Sequence, residues 1–463
     1  GGLYDFIAAT FGLWNETFTS RVCAWGQTVA DQAKVLFKIN TGAAVLGMGY
    51  IVGLKYSAII CFGSVVVWWL IVPGIGLFFP DLTLPAGITA AQATPEQIFD
   101  YAKSIGIGGI AMAGIIGIVK SWGVIRSAIG LAGRELGGKS KTETDVPRTQ
   151  RDIPMKIIAI GSLVTLAAIF LFFYFGVMDG NLLFSVVGIL LVAIISFLFT
   201  TVAANAIAIV GSNPVSGMTL MTLILSSVIM VAVGLKGTGG MVAALIMGGV
   251  VCTALASSGS FITDLKIGYW LGSTPRKQEG LKFLGTLVSA ATVGGVIIIL
   301  EKSYGFTSGQ LAAPQANAMA AVIQPLMTGG QTPWMLYFCG AALALVLTSI
   351  GVPALAFALG MFIPLDLNLP LLVGGAINWY VTTRSKDKAL NKARGERGTL
   401  LASGFIAGGA LMGVVSAVLK FVGVDWFLSG WASSNAAEWT GLAMYLVLIG
   451  YFAWHTLRAK KEE

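Results

Sequence analysis

The chain has 463 residues, 56% of them hydrophobic and only 11% charged, with a mean hydropathy of +0.84; soluble domains carry roughly 25% charged residues. A soluble fold cannot cover that much apolar surface, whereas a bilayer lets apolar side chains face outward, so membrane embedding follows. The net charge of +8 does not indicate a nucleic-acid partner, because the basic residues fall in short connections between apolar stretches, where they orient a membrane protein.

The chain opens Gly1-Gly2, without the basic segment, apolar core and cleavage site of a signal peptide. Tyr4 to Lys38 is amphipathic, with Trp14 and Trp25 among polar residues, and is expected at an interface or against other helices. A span needs about 20 apolar residues. Val45 to Gly53 reads as a half-helix and Ser57 to Phe79 as a full span; Thr83 to Pro95 is an external loop rich in Pro, Ala and Thr. Further spans are expected at Tyr101 to Val119, Lys156 to Gly176, Leu182 to Val210, Pro214 to Leu235 and Met241 to Phe261. Phe283 to Leu300, Trp334 to Ile350, Leu400 to Val422 and Gly441 to Trp454 complete the set. Pro353 to Ile363 and Pro370 to Tyr380 are short for crossings, and together predict a re-entrant hairpin. The fold class is therefore all-α and polytopic: one transmembrane domain, a bundle of about ten or more helices, some broken or re-entrant.

The chain has 60 glycines, which suit close helix contacts; Gly109, Ala113 and Gly117, and Gly404 with Gly408, have the spacing for them. Cys23, Cys61, Cys252 and Cys339 lack metal-ligand spacing, so no metal or cofactor is expected. His455, the sole histidine, is expected to be structural or interfacial.

Basic residues cluster in Lys120 to Lys156, Lys266 to Lys282, Arg384 to Arg397 and the tail from Arg458, whereas Asp81, Glu96, Asp100, Asp179, Asp425 and Glu438 lie in the alternate connections. This places the C-terminus and the hydrophilic linker Gly137 to Arg151 in the cytoplasm, in a plasma membrane or a bacterial inner membrane. The threading balances if Pro353 to Tyr380 enters and leaves by one face.

Two polar segments interrupt the apolar background. In Gly211-Ser212-Asn213-Pro214-Val215-Ser216-Gly217-Met218, Asn213 can cap, Pro214 suits a first turn and Gly217 permits close approach, so a helix N-terminus is expected. Such an end attracts anions, and in a transporter it can face the substrate; it can equally be an ordinary connection. Asp264-Leu265-Lys266-Ile267-Gly268-Tyr269-Trp270-Leu271-Gly272-Ser273-Thr274-Pro275-Arg276-Lys277-Gln278 reads by itself as an orientation signal with aromatic anchors.

Together, the two segments resemble the oligopeptide transporter family on its yellow-stripe-like and bacterial branch, whose members carry NPVSG followed by DLKTGYLLGATPRKQ. Pro314-Gln315-Ala316, Pro333-Trp334, Gly351 to Phe357 and Glu396-Arg397-Gly398 extend the resemblance in the family's order. It implies further N-terminal helices preceding this sequence. Ser260 departs from the acidic residue similar bacterial members often carry there. The resemblance implies secondary active transport, proton-coupled, of small peptides or metal-chelate complexes.

On that basis the candidate substrate contacts are Asn213, Pro214, Ser216, Gly217 and Thr219. The candidate coupling or gating groups are Glu16, Asp264, Lys266, Arg276 and Lys277. A membrane enzyme would need clustered His, Asp, Glu or Cys that the spans lack. A channel or structural subunit, the alternative class, would favour a continuous pore over broken helices. The expected partners are bilayer lipid, the substrate and the coupling proton; the sequence leaves open whether the protein is a homo-oligomer.

Overall fold

The computed structural model describes residues 1–84, 87–120, 122–136, 147–210, 215–306, 314–328 and 333–460. Among them, eight helices are long and apolar enough to cross a membrane, with shorter apolar helices beside them. The chain divides into two compact units, Gly1–Gly109 with Gly294–Ala312 and Met335–Glu463, and Ile110–Val293 with Ala313–Trp334.

In the first unit, two broken helices run antiparallel. One consists of Ala43–Val52 followed by Leu54–Val66, interrupted at Gly53, whose φ of 79° is a conformation glycine adopts readily. The other consists of Ala354–Phe362 followed by Leu365–Thr383, interrupted at Ile363 and Pro364. Glycines set their approach reciprocally. A Cβ at Gly49 would overlap the Leu371 carbonyl and one at Gly374 the Leu46 carbonyl; Gly63 and Gly360 meet Phe357 and Ile60 in the same manner. In lipid, where apolar burial drives no association, such backbone contact supplies the packing. Of the glycines picked out by spacing, Gly109 abuts Ala358 and Gly408 abuts Gly2, while Gly117 and Gly404 face open space.

A helix break in a membrane frees backbone carbonyls that must find donors. The buried Asn368 amide supplies them, donating to Gly360 O at 3.2 Å, Ile363 O at 3.0 Å and Ser64 Oγ at 2.9 Å. Asn378 donates to Tyr50 O at 2.9 Å, near the end of Ala43–Val52. The expected re-entrant hairpin is not what forms. Ala354–Phe362 and Leu365–Thr383 pack on Leu54–Val66 and Ala43–Val52, not on each other, and Pro370 lies inside the second helix. Loss of one N–H is tolerated there because neighbouring helices enclose the segment.

Gly2–Phe11 packs along Lys388–Phe421, and Asn435–Leu457 packs beside the latter. A small extramembrane layer joins these elements. Strands Thr17–Thr19 and Lys38–Asn40 pair antiparallel around helix Ala24–Gln32. Arg21 forms a two-pronged ion pair with Glu96 at 2.8 and 2.9 Å. Buried Lys34 donates to the Ala91 and Ala93 carbonyls, each at 2.9 Å, tying down the loop before Pro95.

The second unit is built on Leu182–Val210, Val215–Val233 and Gly237–Trp270, with Pro314–Thr328 against the last two. Phe173, Phe199, Leu223, Met247 and Val251 form its core. Several helices exceed their apolar windows, because hydropathy registers only the lipid-facing part; Gly237–Trp270 and Lys388–Phe421 each run 34 residues. Asp387 caps the N-terminus of the latter, accepting from the Ala389 and Leu390 N–H groups.

The structure groups the basic connections within each unit. Arg397 lies against His455 and donates to Arg458 O at 3.4 Å, joining the Arg384 to Arg397 connection to the C-terminal tail. In the other unit, Arg148 donates to Gly272 O at 2.9 Å and Thr274 Oγ1 at 3.2 Å, while the Arg276 N–H donates to Arg151 O.

Candidate functional site

Asn435–Leu457 carries Arg397 near one end, at His455, and the segment around Glu16 near the other. There the Asn15 N–H donates to Ala437 O at 3.2 Å, and the Thr19 N–H and hydroxyl reach the Glu438 carboxylate at 3.0 and 3.3 Å. Gly441 is needed for this approach, since a Cβ would overlap the Asn15 carbonyl. At about 1.5 Å per residue, Gly441 stands roughly 20 Å from the basic end.

Main-chain bonds hold Glu16. The Thr41 N–H donates to Glu16 O at 2.7 Å, the Thr41 hydroxyl to Asn15 O at 3.1 Å, and the Tyr4 hydroxyl to Thr41 O at 3.0 Å. The carboxylate itself has no hydrogen bond or ion pair among the described residues. Glu16 is exposed, so water reaches it; the protein around it, and then the Asp5 charge, push its carboxyl up to about 7. A carboxyl of that kind takes up and releases protons near neutral pH.

Asp5, absent from the sequence-based candidates, is the neighbouring carboxylate. Its Oδ1 accepts from the Ala43 N–H at 3.4 Å, and its Oδ2 packs so tightly on Gly409 that a Cβ there would overlap it. The sequence signal was slight: one aspartate in a short amphipathic segment whose partners lie far along the chain.

Asp264 is placed differently. Its carboxylate meets Lys282 at 2.6 Å, with side chains 50% and 29% exposed, and Lys282 also donates to Ser260 at 3.2 Å and lies over the Phe261 ring. Residues on either side of the turn between Gly237–Trp270 and Pro275–Tyr304 face each other, which brings Lys282, rather than Arg276 or Lys277, to Asp264. Lys266, about 200° further round the helix, lies over the Tyr269 and Trp270 rings at 5.5 and 5.4 Å. Of the candidates Asp264, Lys266, Arg276 and Lys277, Asp264 thus has Lys282 as its ion-pair partner.

Asn213 and Pro214 lie outside the described residues. Ser216 and Gly217 fall in the first turn of Val215–Val233, and Thr219 is buried at 2% exposure. Below them the Thr222 hydroxyl donates to Met218 O at 2.9 Å and that of Ser226 to Leu223 O at 3.3 Å; these two serve their own helix. Among the described residues no group of His, Cys, Asp and Glu could hold a metal ion.

A family model described as OPT oligopeptide transporter protein matches residues 1–420. A Haemophilus influenzae protein named as a candidate oligopeptide transporter is 27% identical over 501 aligned residues, which cover 95% of this chain and 76% of that protein.

Proposed function

The chain belongs to the OPT oligopeptide transporter family, and on that premise we propose that it is a secondary active importer of short peptides or metal-chelate complexes, driven by protons that bind at Glu16. The observation that carries the proton reading is the Glu16 carboxylate, reached by water, without a cation partner among the described residues and poised at about 7. Most carboxylates at a membrane boundary are paired or solvated and ionise well below neutral pH. One that stays near neutrality can load on one side and unload on the other.

Segment 213–219 is the proposed substrate end. Its first-turn amide groups and the hydroxyls of Ser216 and Thr219 would receive a substrate carboxylate, as helix N-termini receive anions. Replacing Asn213 or Ser216 with Ala is expected to cost about 1.5 to 3 kcal/mol of substrate binding, about ten- to a hundredfold in affinity. For orientation, the Arg384 to Arg397 connection and the C-terminal tail, which Arg397 joins, are proposed to face the cytoplasm together as a basic cluster; labelling of a cysteine placed in 386–396 from outside intact cells would reverse it.

The test is uptake of trialanine, and separately of an iron chelate, into proteoliposomes with an alkaline interior. Accumulation that rises with the pH gradient is expected for at least one. Uptake insensitive to the gradient for every transported probe would refute proton coupling.

A further inference from the structure

Two buried polar groups beside Tyr4 have no partner: Tyr445, 1% exposed, has an unbonded hydroxyl, and Trp14, 7% exposed and just before Glu16 in the chain, has an unbonded indole N–H. The Tyr4 and Trp14 rings lie 5.0 Å apart, and Tyr4 packs on the cluster that contains Tyr445 and Ala43. An unpaired buried donor or hydroxyl costs about 1 to 3 kcal/mol, and groups of them are ordinarily satisfied by ordered water.

Resting on the proton-driven reading above, we propose that Asp5 and Glu16 form a two-carboxylate proton relay, with Tyr445 and Trp14 holding the water between them. Glu16, reached from solvent, takes the proton. As its carboxyl O–H breaks, the proton passes to a bridging water; that water gives one of its own to the Asp5 carboxylate, forming a new O–H bond. One negative charge moves from Asp5 to Glu16, and no net charge is created.

The groups facing Asp5 are few. Tyr4 and the Gly1 amino group belong to its own segment and Glu16 to the adjoining loop, the Ala43 N–H donates to it, and Lys388–Phe421 presents Gly409. No lysine or arginine forms an ion pair with either carboxylate among the described residues. A like charge nearby disfavours ionisation, and the Asp5 charge acts on Glu16 in this sense, after the larger effect of burial.

The relay has a mechanical consequence. Asp5 Oδ2 is in contact with Gly409, so proton arrival changes the charge and solvation of a group wedged against Lys388–Phe421. An ionised Asp5 draws water into that contact, and a neutral one lets the helices close. Proton occupancy is thereby linked to the packing of Gly2–Phe11 on its neighbour.

The test compares Asp5→Asn, Tyr445→Phe and the unaltered protein in proteoliposomes loaded with trialanine or, if trialanine is not transported, with whichever probe is. Gradient-driven accumulation is read against pH, and counterflow exchange without a gradient serves as the control for folding and substrate binding. Asp5→Asn is expected to keep counterflow and lose accumulation, and Tyr445→Phe to slow accumulation several-fold with the same counterflow. An unaltered protein that ignores the gradient defeats the proton-driven reading itself. Gradient-driven accumulation with an unchanged pH profile in Asp5→Asn overturns the relay alone. Should Asp5→Asn fail to fold, an unchanged rate and pH profile in Tyr445→Phe does so equally.

Discussion

Glu16 and Asp264 look alike in the sequence, each a carboxylate at the edge of an apolar stretch, yet the fold treats them in opposite ways. Asp264 meets a lysine across a helical hairpin at 2.6 Å, half exposed to solvent. Glu16 has no cation partner among the described residues, is reached by water, and feels the surrounding protein and then the Asp5 charge. The difference shows that proximity to the membrane boundary does not select a coupling residue. What selects it is whether the fold supplies a counter-charge: Asp264 has one, whereas a carboxylate without one, desolvated by protein and near a like charge, can bind a proton near neutral pH.

The largest effect should come from removing the unpaired member. Glu16→Gln is expected to abolish gradient-driven accumulation and leave counterflow intact; retained accumulation would make Glu16 no different from Asp264.

A smaller effect should appear in stability. A carboxyl raised from its ordinary 4.5 to about 7 in the folded protein holds a proton that the unfolded chain has released between those values. Folded-state stability from this group is therefore full below about 4.5, falls as pH rises towards about 7, and is level above. Thermal unfolding in detergent should show that slope, and Glu16→Gln should flatten it. Asp264→Asn should leave it unchanged.

Asp5→Asn sharpens the contrast in another way. Burial outweighs Asp5 among the causes that raise Glu16, so removing the Asp5 charge should move the Glu16 titration down only part of the way towards 4.5. A full return would assign the shift to charge repulsion instead.

The least effect is expected at the paired carboxylate. An exposed ion pair contributes up to about 1 kcal/mol, and Lys282 keeps Ser260 and the Phe261 ring as neighbours. Asp264→Asn should scarcely alter melting temperature, and any change in uptake should be confined to rate; loss of accumulation would place Asp264 in the coupling path.

The spans were legible because a lipid-facing helix must be apolar over its crossing, and the charge alternation was legible because lysine and arginine avoid the bilayer. The half-helix before Gly53 could also be read, since its length falls short of a crossing. Pro370 was misleading. It reads as a helix start, but Asn368 and the packing of Ala43–Val52 let the helix run through it from Leu365. Lys282 rather than Arg276 became the partner of Asp264 because the hairpin register, which no composition rule reports, chooses the facing residue. The Glu16 site was half visible: Glu16 stood out, but Gly409 reaches Asp5 and Tyr445 comes near Tyr4 only through tertiary packing across hundreds of residues.

The most direct measurement is an infrared titration of the carboxyl groups in the reconstituted protein, recorded as the difference between the unaltered chain and Glu16→Gln. A protonated-carboxyl band that disappears with a midpoint near 7, and is absent from the variant, is the predicted result. A midpoint at the ordinary carboxylate value of 4.5 would show that Glu16 is ionised at neutral pH, and would contradict its role as the proton-binding group.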